Sequence, residues 1–163
     1  MGDTMPRIIA GEFRGRRLAA PADGTRPTSD RVREAIASML GARMDLVGTR
    51  VLDLYAGTGA LALEALSRGA ATAVLVEADR KAAAVARANI GVCQAGSRAR
   101  VVNRTVASFL AAPGEVFDLV FADPPYEVDG DEVNAMLVAL VPHLSDDAWV
   151  VVERASRGAV PQW

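Results

Sequence analysis

Short apolar runs and helically spaced apolar residues alternate along the chain after residue 50. The runs predict buried strands, at residues 51–55, 73–76, 100–103, 117–122 and 149–152. Helical spacing follows Gly59, Asp79 and Val133. Strands that are apolar throughout and alternate with helices predict an α/β fold with a mostly parallel, doubly wound sheet.

The first 50 residues follow a different pattern. Apolar pieces at Ile8 and Leu18 flank a turn that contains Gly11 and Gly15, which predicts a small β-hairpin with arginines at its tip. In the next segment, "RPTSDRVREAIASML", a polar Thr-Ser-Asp cap precedes apolar residues at helical spacing, which predicts a helix. We expect an N-terminal extension over residues 1–25 and one compact domain over residues 26–163.

Composition supports a single folded domain and limits the chemistry. The 163 residues are 51% hydrophobic, which suits one domain with a real core, and no apolar run approaches the length of a membrane span. The lone Cys93 forms no internal disulfide, which is typical of a reducing compartment and suggests the cytoplasm. Cys93 and the only histidine, His143, do not make a zinc site without carboxylates, so we expect no metal.

Charge is unevenly distributed along the chain. Residues 1–50 contain nine arginines and six acids, whereas residues 51–163 contain nine basic residues and fourteen acids. Two explanations fit the arginine-rich start: a solvated leader, or a surface that pairs guanidinium groups with phosphate oxygens. Charge alone does not decide between them.

A glycine-rich loop follows the first predicted strand, in "VLDLYAGTGALALEA". Gly57-Thr58-Gly59 precedes a helix, and its glycines allow a ligand to approach the backbone while the helix N-terminus favours an anionic group. Glu77 ends the second strand, eighteen residues after Gly59, where an acid can accept hydrogen bonds from both hydroxyls of a ribose. The loop also satisfies the G-x-G-x-x-G/A pattern of dinucleotide sites, so a nicotinamide cofactor is one candidate for its ligand.

Asp53 favours a different nucleotide cofactor. It lies inside the first strand, four residues before Gly57, where nicotinamide-binding strands are usually apolar throughout. A carboxylate there suits an ammonium group, which S-adenosylmethionine carries together with a carboxylate, a ribose and an adenine. The remaining alternative is a glycine turn that binds nothing.

The stretch "FADPPYEV" ends the fourth predicted strand with a rigid corner. The sequence Asp123-Pro124-Pro125-Tyr126 resembles the motif of amino-methyltransferases that modify exocyclic amines of nucleobases or glutamine side chains. A carboxylate and a carbonyl can accept both N–H bonds of such an amine, hold its nitrogen in line with the methyl group and stabilise its developing positive charge. The tyrosine offers a face on which a flipped base stacks.

Taken together, these motifs resemble the bacterial small-subunit (16S) ribosomal RNA guanine-N2 methyltransferase D family, and specifically an actinobacterial member. The resemblance runs through "RIIAGEFRGRRL", "TRPTSDRVREAIASML", "VLDLYAGTGALALEALSRGA" and "FDLVFADPPY". It implies a Rossmann-like class I methyltransferase fold that uses S-adenosylmethionine to methylate one guanine amine, of the guanine-966 type, in rRNA of the small subunit. The implied partner is 16S rRNA in assembled or assembling subunits, and we expect a monomer.

The resemblance assigns residues to three functions. The cofactor-binding positions are Asp53, Ala56, Gly57, Thr58, Gly59, Glu77, Ala78 and Asn103, with Thr28 and Arg31 in a segment that closes over the cofactor. The catalytic positions are Asp123, Pro124, Pro125 and Tyr126. The RNA-binding positions are Arg7, Arg14, Arg16, Arg17, Arg26 and Arg33. A helix cap is the alternative for Thr28, and a solvated helix face is the alternative for Arg33.

Two points stay open at the level of the sequence. The family's sheet usually ends with a further strand hairpin after the fifth strand, and this sequence stops at Trp163, so we expect either a shortened sequence or an incomplete sheet edge. The corner motif also fits enzymes that methylate adenine-N6, cytosine-N4 or glutamine, and the loop alone fits an NAD-dependent oxidoreductase.

Overall fold

The computed structural model describes residues 8, 11–19, 45–125 and 128–152, and within these residues strands and helices alternate. In chain order the elements are β1 (Arg50–Leu54), α1 (Ala60–Ser67), β2 (Thr72–Val76), α2 (Arg80–Val92), β3 (Ala99–Val102), α3 (Val106–Ala111), β4 (Phe117–Ala122), α4 (Gly130–Leu140), a 3₁₀ turn (Val141–His143) and β5 (Leu144–Val152).

The strands form one parallel sheet in the order β3-β2-β1-β4-β5. The chain therefore winds outward from β1 to β3 and then crosses back to place β4 on the other side of β1. This arrangement confirms the predicted doubly wound α/β fold. The connections that follow β1 and β4 therefore run in opposite directions across the sheet. Ligands of such sheets bind beyond the carboxyl ends of the two strands at this point.

Alternate residues of the strands enter two separate cores, one on each face of the sheet. On β1, Val51 packs with α1 and α2, whereas Leu52 and Leu54 pack with α3 and α4. Asp53 points to the same face as Val51, so the acid inside β1 lies under α1. Both faces are covered by helices, as apolar strands of a parallel sheet require.

The N-terminal segment packs into the core beside α1. Ile8, Phe13 and Leu18 are buried in the same cluster as α1. Two backbone hydrogen bonds join Ile8 to Arg16 and to Gly15 and close a turn over residues 11–15, with Phe13 buried and Arg14 exposed. The predicted boundary at residue 25 lies outside the described residues, so the division into extension and domain stays a prediction.

This turn also completes the C-terminus of α1. The backbone N–H of Glu12 donates to the carbonyl of Ser67 at 2.8 Å, and that of Phe13 donates to the Ser67 hydroxyl at 2.8 Å. The Arg98 side chain donates to the carbonyl of Leu66 at 3.0 Å and pairs with Glu12 at 3.1 Å. The Ser67 carbonyl at the end of the helix thus finds its donor in the docked turn, and Arg98 adds a donor to the carbonyl of Leu66.

Two elements differ from the sequence prediction. Helix α3 was not predicted, because six residues are too few to establish a helical period; Thr105 caps it by accepting from the Ser108 N–H at 3.1 Å. The predicted fifth strand was too short, since β5 begins at Leu144 instead of residue 149. Ser145, Asp146 and Asp147 interrupt its apolar pattern, and its register with β4 shifts between Phe117 and Leu119.

Candidate active site

The carboxyl ends of β1, β2 and β4 meet at one edge of the sheet, and the predicted site residues follow these ends. Leu54 of β1 is in register with Val76 of β2 and with Ala122 of β4. Glu77 and Asp123 each come directly after one of these partners, so they flank the loop that leaves β1. The backbone N–H of Asp123 also donates to the Leu54 carbonyl at 3.5 Å.

The loop after β1 turns through residues with positive φ angles: 60° at Tyr55, 58° at Gly57 and 84° at Gly59. The Gly59 N–H donates to the Ala56 carbonyl at 2.9 Å, and α1 begins at the next residue. The predicted glycine turn into a helix is therefore present. It leads into a helix N-terminus, whose backbone N–H groups favour a negatively charged ligand group.

Gly59→Ala should be more damaging than Gly57→Ala. A Cβ on Gly59 would lie 2.7 Å from Cδ2 of Leu75, whereas a Cβ on Gly57 would meet nothing within 4 Å. Both alanines carry left-handed strain of about 1–2 kcal/mol, and only Gly59→Ala adds an overlap worth about 1–3 kcal/mol. Urea denaturation of the two variants measures the difference. Equal losses of unfolding free energy would show that the overlap with Leu75 does not add to the destabilisation caused by Gly59→Ala.

Glu77 holds the loop with both carboxylate oxygens. Oε1 accepts from the backbone N–H of Gly57 at 2.7 Å, and Oε2 accepts from that of Asp79 at 2.9 Å. A carboxylate has about four acceptor positions, so each oxygen retains capacity for a further donor such as a ribose hydroxyl. The predicted ribose-binding acid thus lies beside the glycine loop and fixes its first glycine.

Asn103 connects the end of β3 to the residues after β2. Its Nδ2 donates to the carbonyls of Glu77 at 2.8 Å and Ala78 at 3.1 Å. These bonds use the amide hydrogens and leave the Asn103 oxygen as the acceptor of this side chain. Asn103 and Ala78 therefore lie together next to Glu77, on the side of the loop away from Asp123.

Asp53 lies beneath the loop, with only 2% of its surface exposed. Its Oδ2 accepts from the backbone N–H of Ala62 in the first turn of α1 at 3.2 Å. Burial raises the pKa of Asp53 well above its ordinary value, and the charges of Asp123 and Glu77 raise it further, against the opposing hydrogen bond from Ala62. The carboxyl groups of Glu77 and Asp123 are thus within electrostatic range of the buried Asp53.

Asp53→Asn is expected to stabilise the cofactor-free protein at pH 8 but not at pH 4. Because the native pKa of Asp53 is raised, the folded protein binds this proton more tightly than the unfolded chain does. The free energy of unfolding therefore falls as the pH rises from about 4 through the native pKa. Asparagine does not ionise, so the variant escapes that loss and should gain roughly 0.5–2 kcal/mol at pH 8.

Urea denaturation of wild type and Asp53→Asn at both pH values checks this expectation. The difference in unfolding free energy should grow from pH 4 to pH 8. A gain of the same size at both values would mean that the ionisation of Asp53 does not destabilise the fold.

The corner after β4 begins at Asp123. Asp123 is half-buried, Pro124 is buried and Pro125 is exposed. The Pro125 carbonyl accepts from the backbone N–H of Val128 at 3.0 Å, which turns the chain towards α4. The structure thus brings the first three residues of the predicted catalytic motif to the edge that carries the glycine loop; Tyr126 lies outside the described residues.

The predicted RNA-binding arginines within the described residues differ in their contacts. Arg14, in the N-terminal turn, and Arg17, just after it, are both exposed. Arg16 is half-buried: its guanidinium donates to the Val92 carbonyl at 2.8 Å and lies 5.6 Å from the centre of the Phe13 ring. Arg16 therefore has a structural function within the fold. The other predicted positions in this part of the chain, Arg7, Arg26, Thr28, Arg31 and Arg33, lie outside the described residues.

Sequence reasoning missed two residues that shape the loop. Tyr55 adopts a left-handed conformation that favours glycine, and its ring packs on the α3 and α4 side of the sheet. Asn89 is buried in α2 and donates to the Thr58 carbonyl at 2.9 Å. A signal for Asn89 was present, because it is a polar residue on the apolar face of an alanine-rich helix.

The described part of the chain contains neither a cluster of metal-binding side chains nor a membrane-spanning helix. Among those residues, no group of three or more histidine, cysteine, aspartate or glutamate side chains could hold a metal ion. No helix in the same residues has the length and apolar character needed to cross a membrane.

Known proteins resemble this chain over almost its full length. The family model described as conserved hypothetical protein 95 matches residues 6–163. Ribosomal RNA small subunit methyltransferase D of Escherichia coli K12 is 42% identical over 161 residues, which cover 98% of this chain and 80% of that protein. Among solved structures, an Escherichia coli protein has a TM-score of 0.82 at 42% identity, covering 97% of this chain and 85% of its own. A hypothetical protein of Thermus thermophilus has a TM-score of 0.84 at 35% identity, covering 96% and 90%.

Proposed function

The chain belongs to the ribosomal RNA small subunit methyltransferase D family, and from this premise we propose that it methylates the exocyclic N2 amine of one guanine in 16S rRNA. The methyl donor is S-adenosylmethionine, and the substrate is rRNA within the small ribosomal subunit or its assembly intermediate. The enzyme acts in the cytoplasm as a monomer.

The observation that carries this proposal is the convergence of three carboxyl groups around the glycine loop. Asp53 lies beneath the loop, Glu77 binds its first glycine, and Asp123 lies on the opposite flank. Glu77 and Asp123 contribute negative potential, and a cationic group beside Asp53 would favour its ionised form, so the site favours a cofactor with positive charge. S-adenosylmethionine carries a sulfonium and an ammonium. The same potential repels a pyrophosphate, which counts against the nicotinamide alternative.

The residues present match the parts of this cofactor. The turn at Gly57 and Gly59 and the N-terminus of α1 suit its carboxylate, and the acid beneath them, Asp53, suits its ammonium. Glu77 offers acceptors for the ribose hydroxyls, and Asn103 offers an oxygen beside Ala78 for the adenine amine. When bound, the cofactor supplies an electrophilic methyl group.

The chain's own contribution to the reaction is to position the acceptor. A guanine amine is a weak nucleophile because its lone pair is delocalised into the ring. Asp123 and the Pro124 carbonyl accept its two N–H bonds, which fixes the nitrogen and stabilises the positive charge that develops on it. Tyr126 supplies a stacking face for the flipped base. The proton leaves the nitrogen after transfer, so a base that acts beforehand is not required.

Binding of rRNA is assigned to the N-terminal arginines. Arg14 and Arg17 are exposed on the N-terminal segment that packs beside α1, and they suit phosphate contacts. Arg16 contributes indirectly, because its bond to Val92 helps to hold that turn against the fold. Arg7, Arg26 and Arg33 are proposed to extend the same surface, with Thr28 and Arg31 closing over the cofactor.

Transfer of a labelled methyl group to several acceptors in parallel tests this function. The acceptors are small subunits from cells that lack the modification, naked 16S rRNA, DNA and ribosomal protein. We expect label in N2-methylguanosine after nucleoside digestion, with small subunits as the acceptor. Label in methyladenine, methylcytosine or methylglutamine would instead establish one of the alternative amino-methyltransferases.

A further inference from the structure

The side chain of Asn89 links the glycine loop to the N-terminal segment. Its Nδ2 donates to the Thr58 carbonyl at 2.9 Å and lies 3.5 Å from the Ala19 carbonyl. Its Oδ1 accepts from the backbone N–H of Ala19 at 2.6 Å. The residue is completely buried, and one amide group therefore serves backbone atoms of two segments far apart in sequence.

Burial makes these bonds costly to lose. The side chain is completely buried, so water cannot take its place beside Thr58 or Ala19 without entering the core. The amide orientation follows from the partners themselves: the carbonyl of Thr58 requires a donor and the N–H of Ala19 requires an acceptor. Displacement of either segment breaks its bond to Asn89.

The loop is held from two sides. Glu77 binds the N–H of Gly57 from the end of β2, and Asn89 binds the carbonyl of the next residue, Thr58, from α2. The N-terminal segment has separate anchors at Ser67 and Val92. Asn89 thus provides a direct hydrogen-bonded connection between this segment and the loop.

We propose that Asn89 is a positioning residue that couples the conformation of the cofactor loop to the docking of the N-terminal segment. This inference rests on the proposed function, in which the loop binds S-adenosylmethionine and the segment carries arginines that contact rRNA. A cofactor that fixes Thr58 strengthens the docking at Ala19. Because coupling between two sites is reciprocal, a docked segment raises cofactor affinity by the same factor by which the bound cofactor strengthens docking.

Hydrogen exchange of the Ala19 amide in the full chain, measured by NMR with and without S-adenosylhomocysteine, tests the coupling. That amide donates to Asn89, so its exchange rate reports on the link. Saturating S-adenosylhomocysteine should slow its exchange about fivefold or more, within the usual range of coupling between sites. An unchanged exchange rate with the ligand bound would overturn the coupling and leave the proposed function intact. Failure of the ligand to bind would overturn both.

Asn89→Leu is a near-isosteric change that removes both bonds. In this variant the dissociation constant of S-adenosylhomocysteine should rise about fivefold or more, and Ala19 exchange should no longer respond to it. Ser67→Ala is the control, because it loosens the N-terminal turn at a different anchor and should retain the response. A purely structural function for Asn89 would lower the melting temperature without changing ligand affinity in the folded variant. If Asn89→Leu does not fold, the exchange of the Ala19 amide in the wild-type protein, with and without S-adenosylhomocysteine, still tests the coupling.

Discussion

Asp123→Ala is expected to lower kcat for methyl transfer by about a hundredfold to a thousandfold, the usual effect of removing one preorganised group that stabilises transition-state charge. Asp123 follows β4 beside the end of β1 and is half-buried. In the proposed mechanism it binds the acceptor amine, not the cofactor. Cofactor affinity should change far less than kcat, because the lost hydrogen bond is made to the acceptor and only the negative charge of Asp123 beside the loop acts on the cofactor.

Asp118→Ala is the matched control on the same strand. Asp118 lies near the start of β4 and accepts from the backbone N–H of Arg50 at 2.9 Å and from its Nε at 3.2 Å. Its removal should cost about 1 kcal/mol of stability and leave kcat unchanged. Steady-state kinetics and cofactor titration on both variants separate the two cases. Full turnover by Asp123→Ala, or a loss confined to cofactor affinity, would be incompatible with the proposed function of Asp123.

Glu77→Gln should weaken binding of S-adenosylmethionine about thirtyfold, which corresponds to about 2 kcal/mol for charge-assisted hydrogen bonds. The glutamine amide offers one oxygen where the carboxylate offers two, so one of the N–H groups of Gly57 and Asp79 would face an NH₂ group. The hydrogen bond that holds Gly57 in place would then be weakened, and one acceptor for the ribose hydroxyls would be lost. At saturating cofactor, kcat should stay close to that of wild type.

Asp79→Asn provides the comparison for Glu77→Gln. Asp79 lies two residues away and caps α2 by accepting from the Ala82 N–H at 2.8 Å, a bond that asparagine can also make. Isothermal titration of both variants should show normal affinity for Asp79→Asn and a large loss for Glu77→Gln. Similar affinities in the two variants would mean that Glu77 does not contact the cofactor.

The central part of the fold could be predicted from the sequence because its strands are largely apolar. The runs that became β1, β2 and β4 have no polar interruption apart from Asp53 and Asp118, and Glu77 and Asp123 mark where β2 and β4 stop. Since a parallel sheet brings all carboxyl ends to one edge, the meeting of Glu77 and Asp123 at the glycine loop followed once β4 was placed beside β1, as is usual in doubly wound sheets.

Features that depend on tertiary contacts could not be predicted in this way. The left-handed conformation of Tyr55 is imposed by the loop and contradicts the local preference of a tyrosine. The hydrogen bond from the Arg16 guanidinium to the Val92 carbonyl depends on how the N-terminal turn docks. Helix α3 depends on burial of Val106 and Leu110 against the sheet, because its six residues would not be helical alone.

The proposed cofactor site can be checked in a crystal structure of the full chain with S-adenosylhomocysteine. We expect the ribose hydroxyls within about 2.6–3.2 Å of the Glu77 carboxylate. We also expect the amino-acid portion at the turn of Gly57 and Gly59, and the sulfur facing Asp123 at a distance that one planar amine can span. A ligand bound elsewhere, or one whose sulfur points away from Asp123 and Tyr126, would show that this site does not bind the cofactor as proposed.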